Sequence, residues 1–212
     1  MIAAADTPAP IPAWIGGVLT PVDKLDAHHR GLRHKAVSVF VMHGGALLLQ
    51  RRALGKYHTP GLWANTCCTH PEPGEGVVAA GARRLDEELG FTCDLVDVGT
   101  FTYTATDPSS GLVERELDHV LVGRSDGPVD PDPAEVSETR WISVDDLRTE
   151  MAEHPDTFTP WLAEALEVAA PFLPFPQANV EVSPDAAIAE PEPEPDAEID
   201  GDLDLADHAG SS

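Results

Sequence analysis

The sequence predicts one α+β domain, a mixed β-sheet sandwiched by helices, with a disordered acidic tail at its C-terminal end. Three observations carry this reading. β-rich segments occur with a few helical ones but without regular βα alternation, which excludes a parallel βα array. Two long β-rich stretches, Leu95–Thr104 and Leu112–Val122, flank the turn signal Asp107-Pro108-Ser109-Ser110-Gly111 and predict a hairpin. Composition also divides the chain: residues 1–20 are Ala- and Pro-rich, 21–176 hold every Lys and Arg, and 178–212 have no Lys, Arg or aromatic residue. The last segment cannot bury enough apolar surface to offset its ordering entropy, so 177–212 reads as disordered. The expected organisation is a partly ordered extension over 1–20, a domain over 21–176 and the tail.

The elements follow in order. Ala36–Met42 reads as a strand that His43-Gly44-Gly45 turns into a second strand, Ala46–Gln50. Val77–Leu89 has helical spacing through Val78, Leu85 and Leu89, and Gly90 supplies the stop. Glu138–Ile142 reads as a short strand. Ser143 then resembles an N-cap, with Asp145 and Asp146 in the first turn. Thr159-Pro160 begins a final helix in the same manner, and Pro171 ends it.

With 37 acidic and 13 basic residues the formal charge is −24, which argues against nucleic acid or an anionic membrane as partner. Seven of the 13 basic residues nevertheless lie before residue 57 (Lys24, Arg30, Arg33, Lys35, Arg51, Arg52, Lys56). Salt screens exposed charges beyond about 8 Å, so a local basic cluster outweighs the global acidity and an anionic small molecule remains an allowed substrate. Nothing approaches the roughly 18 consecutive apolar residues of a membrane span. Met1–Thr20 lacks the basic start of a secretory leader. Three cysteines, Cys67, Cys68 and Cys93, give no disulfide framework and suggest a reducing, cytoplasmic setting.

Two segments stand out chemically. Side chains two apart on a strand share a face, so Leu112, Glu114, Glu116, Asp118, Val120 and Val122 point together. Paired carboxylates there fit either a solvated face, with Asp118 continuing an exposed row, or a buried site that needs a cation. His28, His29, His34 and His70 would combine with them into a site suited to Zn²⁺, Mn²⁺ or Fe²⁺; His43, His58, His154 and His208 read as outside it. The second segment is Trp63-Ala64-Asn65-Thr66-Cys67-Cys68-Thr69-His70-Pro71, a loop able to present a thiol for acid–base or nucleophilic work.

Residues 69–91 also approximate the Nudix box. Glu75 is correctly placed before Arg83-Arg84-Leu85-Asp86-Glu87-Glu88-Leu89-Gly90-Phe91, but Thr69 stands for the opening Gly and Arg84 for a metal-holding Glu. The fold signal survives while the hydrolase signal fades. From about Val22 to Leu173 the chain resembles the metal-dependent, flavin-independent isopentenyl diphosphate isomerases built on a Nudix-like fold. The markers are Asp23-Lys24-Leu25-Asp26-Ala27-His28, Arg51 to Lys56, Pro60 to Pro71, Arg83 to Gly90, Tyr103 to Pro108, Glu114-Arg115-Glu116 and Pro160-Trp161.

That resemblance implies isomerisation of isopentenyl to dimethylallyl diphosphate in isoprenoid biosynthesis. It implies Cys68 and Glu116 as catalytic residues, with Tyr103 beside Glu116, and His28, His34, His70, Glu114 and Glu116 as ligands of a divalent metal (Mn²⁺, Zn²⁺ or Mg²⁺). Glu88 would bind Mg²⁺ together with the substrate diphosphate. Lys24, Arg52, Lys56 and Arg84 would surround the diphosphate, and Trp161 would face the reacting carbons. The His28-to-His34 interval is one residue shorter than the family spacing, leaving His29 as an alternative ligand, although Lys24 four residues earlier favours His28. The resemblance further implies a monomer. Rival readings are a Nudix hydrolase of nucleoside diphosphates and a binding module that uses the acidic tail.

Overall fold

The computed structural model describes residues 9–173, apart from 57, 108 and 109. The expected tail over 177–212 lies outside them, as do His208, Pro108 and Ser109. The strands are β1 (Ile11–Ile15), β2 (Val18–Val22), β3 (His34–His43), β4 (Ala46–Arg52), β5 (Trp63–Ala64), β6 (Cys67–Thr69), β7 (Leu95–Thr106), β8 (Val113–Arg124) and β9 (Val136–Ile142). The helices are α1 (Lys24–His29), α2 (Val77–Leu89), α3 (Val144–Glu153) and α4 (Leu162–Ala169). Among the described residues the nine strands join in one mixed sheet.

β3 organises that sheet because its residues from Ala36 to Met42 are all buried and its two edges are both occupied. Along one edge it runs parallel to β8, from His34 opposite Glu116 to Met42 opposite Arg124. The other edge is shared in succession by β1 at His34, β6 at Val37–Val39 and β4 at Met42–His43. Alternation along the strand then sorts side chains between two faces. Val37, Val39 and Val41 pack with Cys67, Leu121 and the α2 residues Ala80, Leu85 and Leu89. Phe40 and Met42 pack on the opposite face with Val120, Val122, Leu147 of α3 and Leu162, Ala165, Leu166 and Ala169 of α4. Helices on both faces leave the β1-proximal end of the second face open, and His34 and Ser38 project there.

α2 lies close to the sheet at Gly81, where an added Cβ would stand 2.6 Å from Leu121 Cδ1, 3.1 Å from Leu95 Cδ1 and 3.2 Å from Val39 Cγ2. Gly81→Val is therefore expected to lower stability by about 1–3 kcal/mol through overpacking. A urea-denaturation midpoint equal to that of the parent would remove this account of the contact. Gly90 closes α2 in the left-handed conformation (φ 70°), the stop expected of it.

The Trp63–Pro71 segment, expected as a loop, carries the short strands β5 and β6, and three further features differ from the sequence reading. The sheet extends N-terminally of residue 21: β1 and β2 form a hairpin through Gly16 and Gly17, both at positive φ, a two-residue turn that suits the strand twist. Second, α4 begins at Leu162 after Trp161, which makes no side-chain cap, so Thr159 does not cap it; it ends at Ala169 and Pro171 lies in a following 3₁₀ turn. Third, α1 was not anticipated; Asp23 caps it by accepting from the Asp26 amide at 3.0 Å. Ser143 does cap α3, accepting from the Asp146 amide at 3.1 Å.

Candidate active site

The open end of the second sheet face is a cavity of about 260 Å³. Cys68, Tyr103, Glu114, Glu116, Asp118 and Trp161 line it together with Lys24, Arg52, Lys56, His58, His70 and Arg84. The alternation of β8 delivers its acids there. Glu114, Glu116 and Asp118 are 3%, 7% and 2% exposed, which excludes the solvated-face alternative for that row. Register supplies the partners: His34 lies opposite Glu116 on β8, and Cys68 opposite Ser38 on β6. Cys67, one residue away, faces α2 and is fully buried in the other core.

Three imidazoles converge on Glu114 and Glu116. His28 Nε2 lies 3.0 Å and His34 Nε2 3.5 Å from Glu114 Oε2, while His34 Nε2 and His70 Nε2 lie 3.4 and 3.0 Å from Glu116 Oε1. His28 Nδ1 donates to the Lys24 carbonyl (2.5 Å) and His34 Nδ1 to the Leu32 carbonyl (2.8 Å). With Nδ1–H committed to the backbone, Nε2 of a neutral ring carries a lone pair, and it faces carboxylate lone pairs. Such contacts are repulsive unless a proton or a cation lies between. The buried Nε2 of His34 and Oε2 of Glu114 have no hydrogen-bond partner among the described residues. One ligand atom from each of His28, His34, His70 and Glu114 lies within 4.8 Å of the others, so these residues fit a divalent cation bound by nitrogen and oxygen. His28 rather than the exposed His29 joins this group.

Electrostatics agree with the geometry. Burial alone would pull the His34 imidazole down, but Glu114 and Glu116 outweigh it and hold it up at about 9. Burial alone would raise the Glu116 carboxyl, yet His34 and His70 bring it down to about 2. His70 is depressed to about 4 by burial, with Lys24 adding to the effect. The His34 and Glu116 shifts describe a carboxylate–imidazole cluster that favours a positive charge at its centre, while His70 is kept neutral.

Cys68 donates to Asn65 Oδ1 at 3.0 Å, and Trp161 Nε1 donates to the same oxygen at 3.1 Å. Burial, with Asp118 nearby, pushes the Cys68 thiol up to about 12. Tyr103 lies opposite Glu116 in the β7–β8 register, and burial followed by the Glu116 charge pushes its phenol well above the usual range. The Trp161 ring is 6.2 Å from Tyr103 and 6.1 Å from His58, with the Arg52 guanidinium 5.7 Å from its centre.

The basic end of the cavity is already paired. Arg84 Nη2 is 2.6 Å from both Glu88 Oε1 and Glu135 Oε2, and Lys56 Nζ contacts the same two carboxylates. Gln50 Nε2 donates to Glu88 Oε2 at 2.8 Å. Glu75 is joined to Arg83 by two bonds of 2.8 and 2.9 Å.

Residues 32–162 match the NUDIX domain model. The isopentenyl-diphosphate Delta-isomerase of Cereibacter sphaeroides (strain ATCC 17025) is 55% identical over 157 residues, 73% of this chain and 89% of that protein. The protein of the same name from Rhodobacter capsulatus is 51% identical over 160 residues, 74% of this chain and 90% of that one. The chain belongs to the isopentenyl-diphosphate Delta-isomerase family. Its isomerase-family domain has the Nudix fold. The MutT protein from Methanosarcina mazei Go1 superposes with a TM-score of 0.52 at 21% identity, over 64% of this chain and 91% of that chain. The MutT NUDIX hydrolase from Burkholderia pseudomallei superposes with a TM-score of 0.51 at 21% identity, over 64% of this chain and 96% of that chain. These likenesses concern the fold alone.

Against that family background, every residue the sequence singled out for the site except Glu88 and the alternative ligand His29 lines the cavity or belongs to the histidine–carboxylate group. Glu88 lies beneath them, reached through Lys56 and Arg84. Sequence reasoning missed three participants and left a fourth, Asp118, undecided between an exposed row and a buried site. His58, set aside as a ligand, turns Nε2 to 3.2 Å from Glu114 Oε1. Glu135 bridges Lys56 and Arg84, and Ser38 and Asp118 flank Cys68. The even spacing of Asp118 after Glu114 and Glu116 was the one available signal. Nothing in sequence spacing marks the other three. Among the described residues no helix is long and apolar enough to cross a membrane.

Proposed function

We propose that this isomerase-family chain interconverts isopentenyl and dimethylallyl diphosphate through Glu116 and Cys68. The observation that carries the reading is the convergence of a carboxylate in a histidine cluster and a half-buried thiol on one small cavity whose far end is basic. An unactivated alkene is a poor base, so protonating it needs a positioned acid, a positioned base and stabilisation of a tertiary cation. Glu116 gives a proton to C4 of isopentenyl diphosphate and Cys68 takes one from C2. Tyr103 lies beside the Glu116 carboxyl. The Trp161 π face stabilises the cation, a contact contributing roughly 2 kcal/mol or more when desolvated.

The proton ledger closes. The forward reaction leaves Cys68 as thiol and Glu116 as carboxylate, the forms that burial and the histidines favour. One proton then passes from sulfur to Glu116 before the next forward turnover, and the reverse reaction starts from the resting forms. His28, His34, His70, Glu114 and Glu116 would hold a divalent ion, whose positive charge would keep the two carboxylates together. Lys24, Arg52, Lys56 and Arg84 hold the diphosphate, so binding energy positions the reacting carbons. Glu88 would hold a Mg²⁺ ion, whose charge would help neutralise the diphosphate, while Lys56 and Arg84, now on Glu88 and Glu135, are the cations within reach of phosphate. The chain works as a cytoplasmic monomer.

Incubation of the metal-replete protein with isopentenyl diphosphate and Mg²⁺ in deuterated water, followed by NMR, tests this reading. Dimethylallyl diphosphate carrying solvent deuterium, with no phosphate released, is the expected product. Unchanged substrate would overturn the proposal, and phosphate release would replace it with a Nudix hydrolase.

Binding makes a separate prediction. Burial, opposed by Glu88, holds the Lys56 ammonium down at about 8. Deprotonation removes a positive charge from the diphosphate site, so kcat/KM should fall as pH rises through that value. Lys56→Arg keeps its charge and should flatten this limb. Lys56→Ala should raise KM by roughly ten- to a hundredfold, the equivalent of a charge-assisted hydrogen bond of about 1.5–3 kcal/mol, with a smaller change in kcat. Steady-state kinetics across pH decides both.

A further inference from the structure

Ser38 sits at the middle of β3, fully buried, between the strand that carries Cys68 and the strand that carries Asp118. Its hydroxyl donates to Asp118 Oδ2 at 2.7 Å, and its oxygen lies 3.8 Å from Cys68 Sγ. Neither residue has a part in the reaction as proposed above. Asp118 is 2% exposed, lines the same cavity, and its Oδ1 has no hydrogen-bond partner among the described residues. A carboxyl placed there costs stability, because its Oδ1 is left without a hydrogen bond and part of its lost hydration is uncompensated.

A serine hydroxyl has one hydrogen. With that hydrogen on Asp118, Ser38 presents only a lone pair to the sulfur. The other neighbour of the sulfur is equally fixed. Asn65 Nδ2 donates to the Val39 and Cys67 carbonyls at 3.1 and 2.8 Å, which turns Oδ1 toward Cys68 and Trp161. In the resting thiol the hydrogen lies toward Asn65 Oδ1 on the protein side, and once that proton has passed to Glu116 the thiolate presents a lone pair to the cavity.

We propose that Ser38, oriented by Asp118, is a positioning residue that fixes the rotamer of Cys68 so that its sulfur faces the bound alkene. This inference rests on the isomerase reading with Cys68 as a proton-transferring group. Removing the Ser38 oxygen leaves the sulfur held by Asn65 alone and opens room on the β3 side for it to shift, and misplacing a reacting atom by about 1 Å can cost on the order of a hundredfold in rate. Diphosphate binding, at the other end of the cavity, is unaffected.

The test is steady-state kinetics of Ser38→Ala, Asp118→Ala and the double variant with isopentenyl diphosphate, alongside thermal melting. Each single variant should lose roughly ten- to a hundredfold in kcat with KM within about twofold. The double variant should fall no further than the worse single, because both act through one contact. Asp118→Asn keeps an oxygen for the Ser38 hydroxyl and should retain most of the kcat. A folded Ser38→Ala protein with wild-type kcat overturns the inference, as do losses that multiply in the double variant or a change confined to KM. Should the double variant not fold, Asp118→Asn decides: a loss as large as that of Ser38→Ala counts against the hydrogen-bond role. An inactive wild type would instead overturn the isomerase reading, so the two failures are distinct.

Discussion

Cys68→Ala is expected to lower kcat by about 10²–10⁴-fold, the usual contribution of a positioned proton-transferring group, with little loss of stability. The sulfur takes part in no core cluster except at the margin of Ala64, Tyr103 and Trp161, so its removal opens only a small gap beside the cavity. Glu116→Gln should match that loss while keeping the shape of the site. The two variants separate the roles of the two groups: if each carries one proton, combining them should cost little more than the worse single, since either loss alone stops turnover. Wild-type rates in both variants, measured on folded protein, would sink the assignment.

The second large effect concerns the cation. Dialysis against a strong chelator should abolish turnover and lower the melting temperature, and readdition of Zn²⁺ or Mn²⁺ should restore both. A ligand present at about a hundred times its dissociation constant stabilises the native state by about 2.7 kcal/mol, which for a domain of this size is a shift of roughly 5–10 °C. His34→Gln should remove that metal-dependent shift, because its imidazole reaches both carboxylates. A melting temperature indifferent to chelator and metal would show that the cluster is held by protons instead.

The parts of the site that the sequence made legible are those read by period and by composition. Glu114, Glu116 and Asp118 are two apart on a strand whose length was apparent from its β-branched and apolar residues, and burial followed from the fold around them. The Asn65-to-His70 segment announced itself by its unusual residue types. What remained illegible depends on long-range register. Nothing local places Ser38 opposite Cys68, 30 residues away, or Glu135 against Lys56, 79 residues away. α1 has six residues, too few for a helical period to show, so only the Lys24 spacing favoured His28 until the fold turned Ala27 and His28 inward and left His29 exposed. The β1–β2 hairpin was obscured by Ala- and Pro-rich composition. Pro12 and Pro21 lie opposite each other there, β2 is an edge strand, and the Gly16-Gly17 dipeptide was the overlooked signal.

The pairing of Lys56 and Arg84 with Glu88 and Glu135 has a consequence for selectivity. An anion that enters this end of the cavity does not meet bare cations; it must displace carboxylates already seated on them. Its affinity is the difference between two sets of ion pairs, as on an ion-exchange resin. Chloride and other monoanions have too little charge to win that exchange. A polyanion able to bridge both nitrogens at once does, so cellular salt leaves the pocket vacant for it.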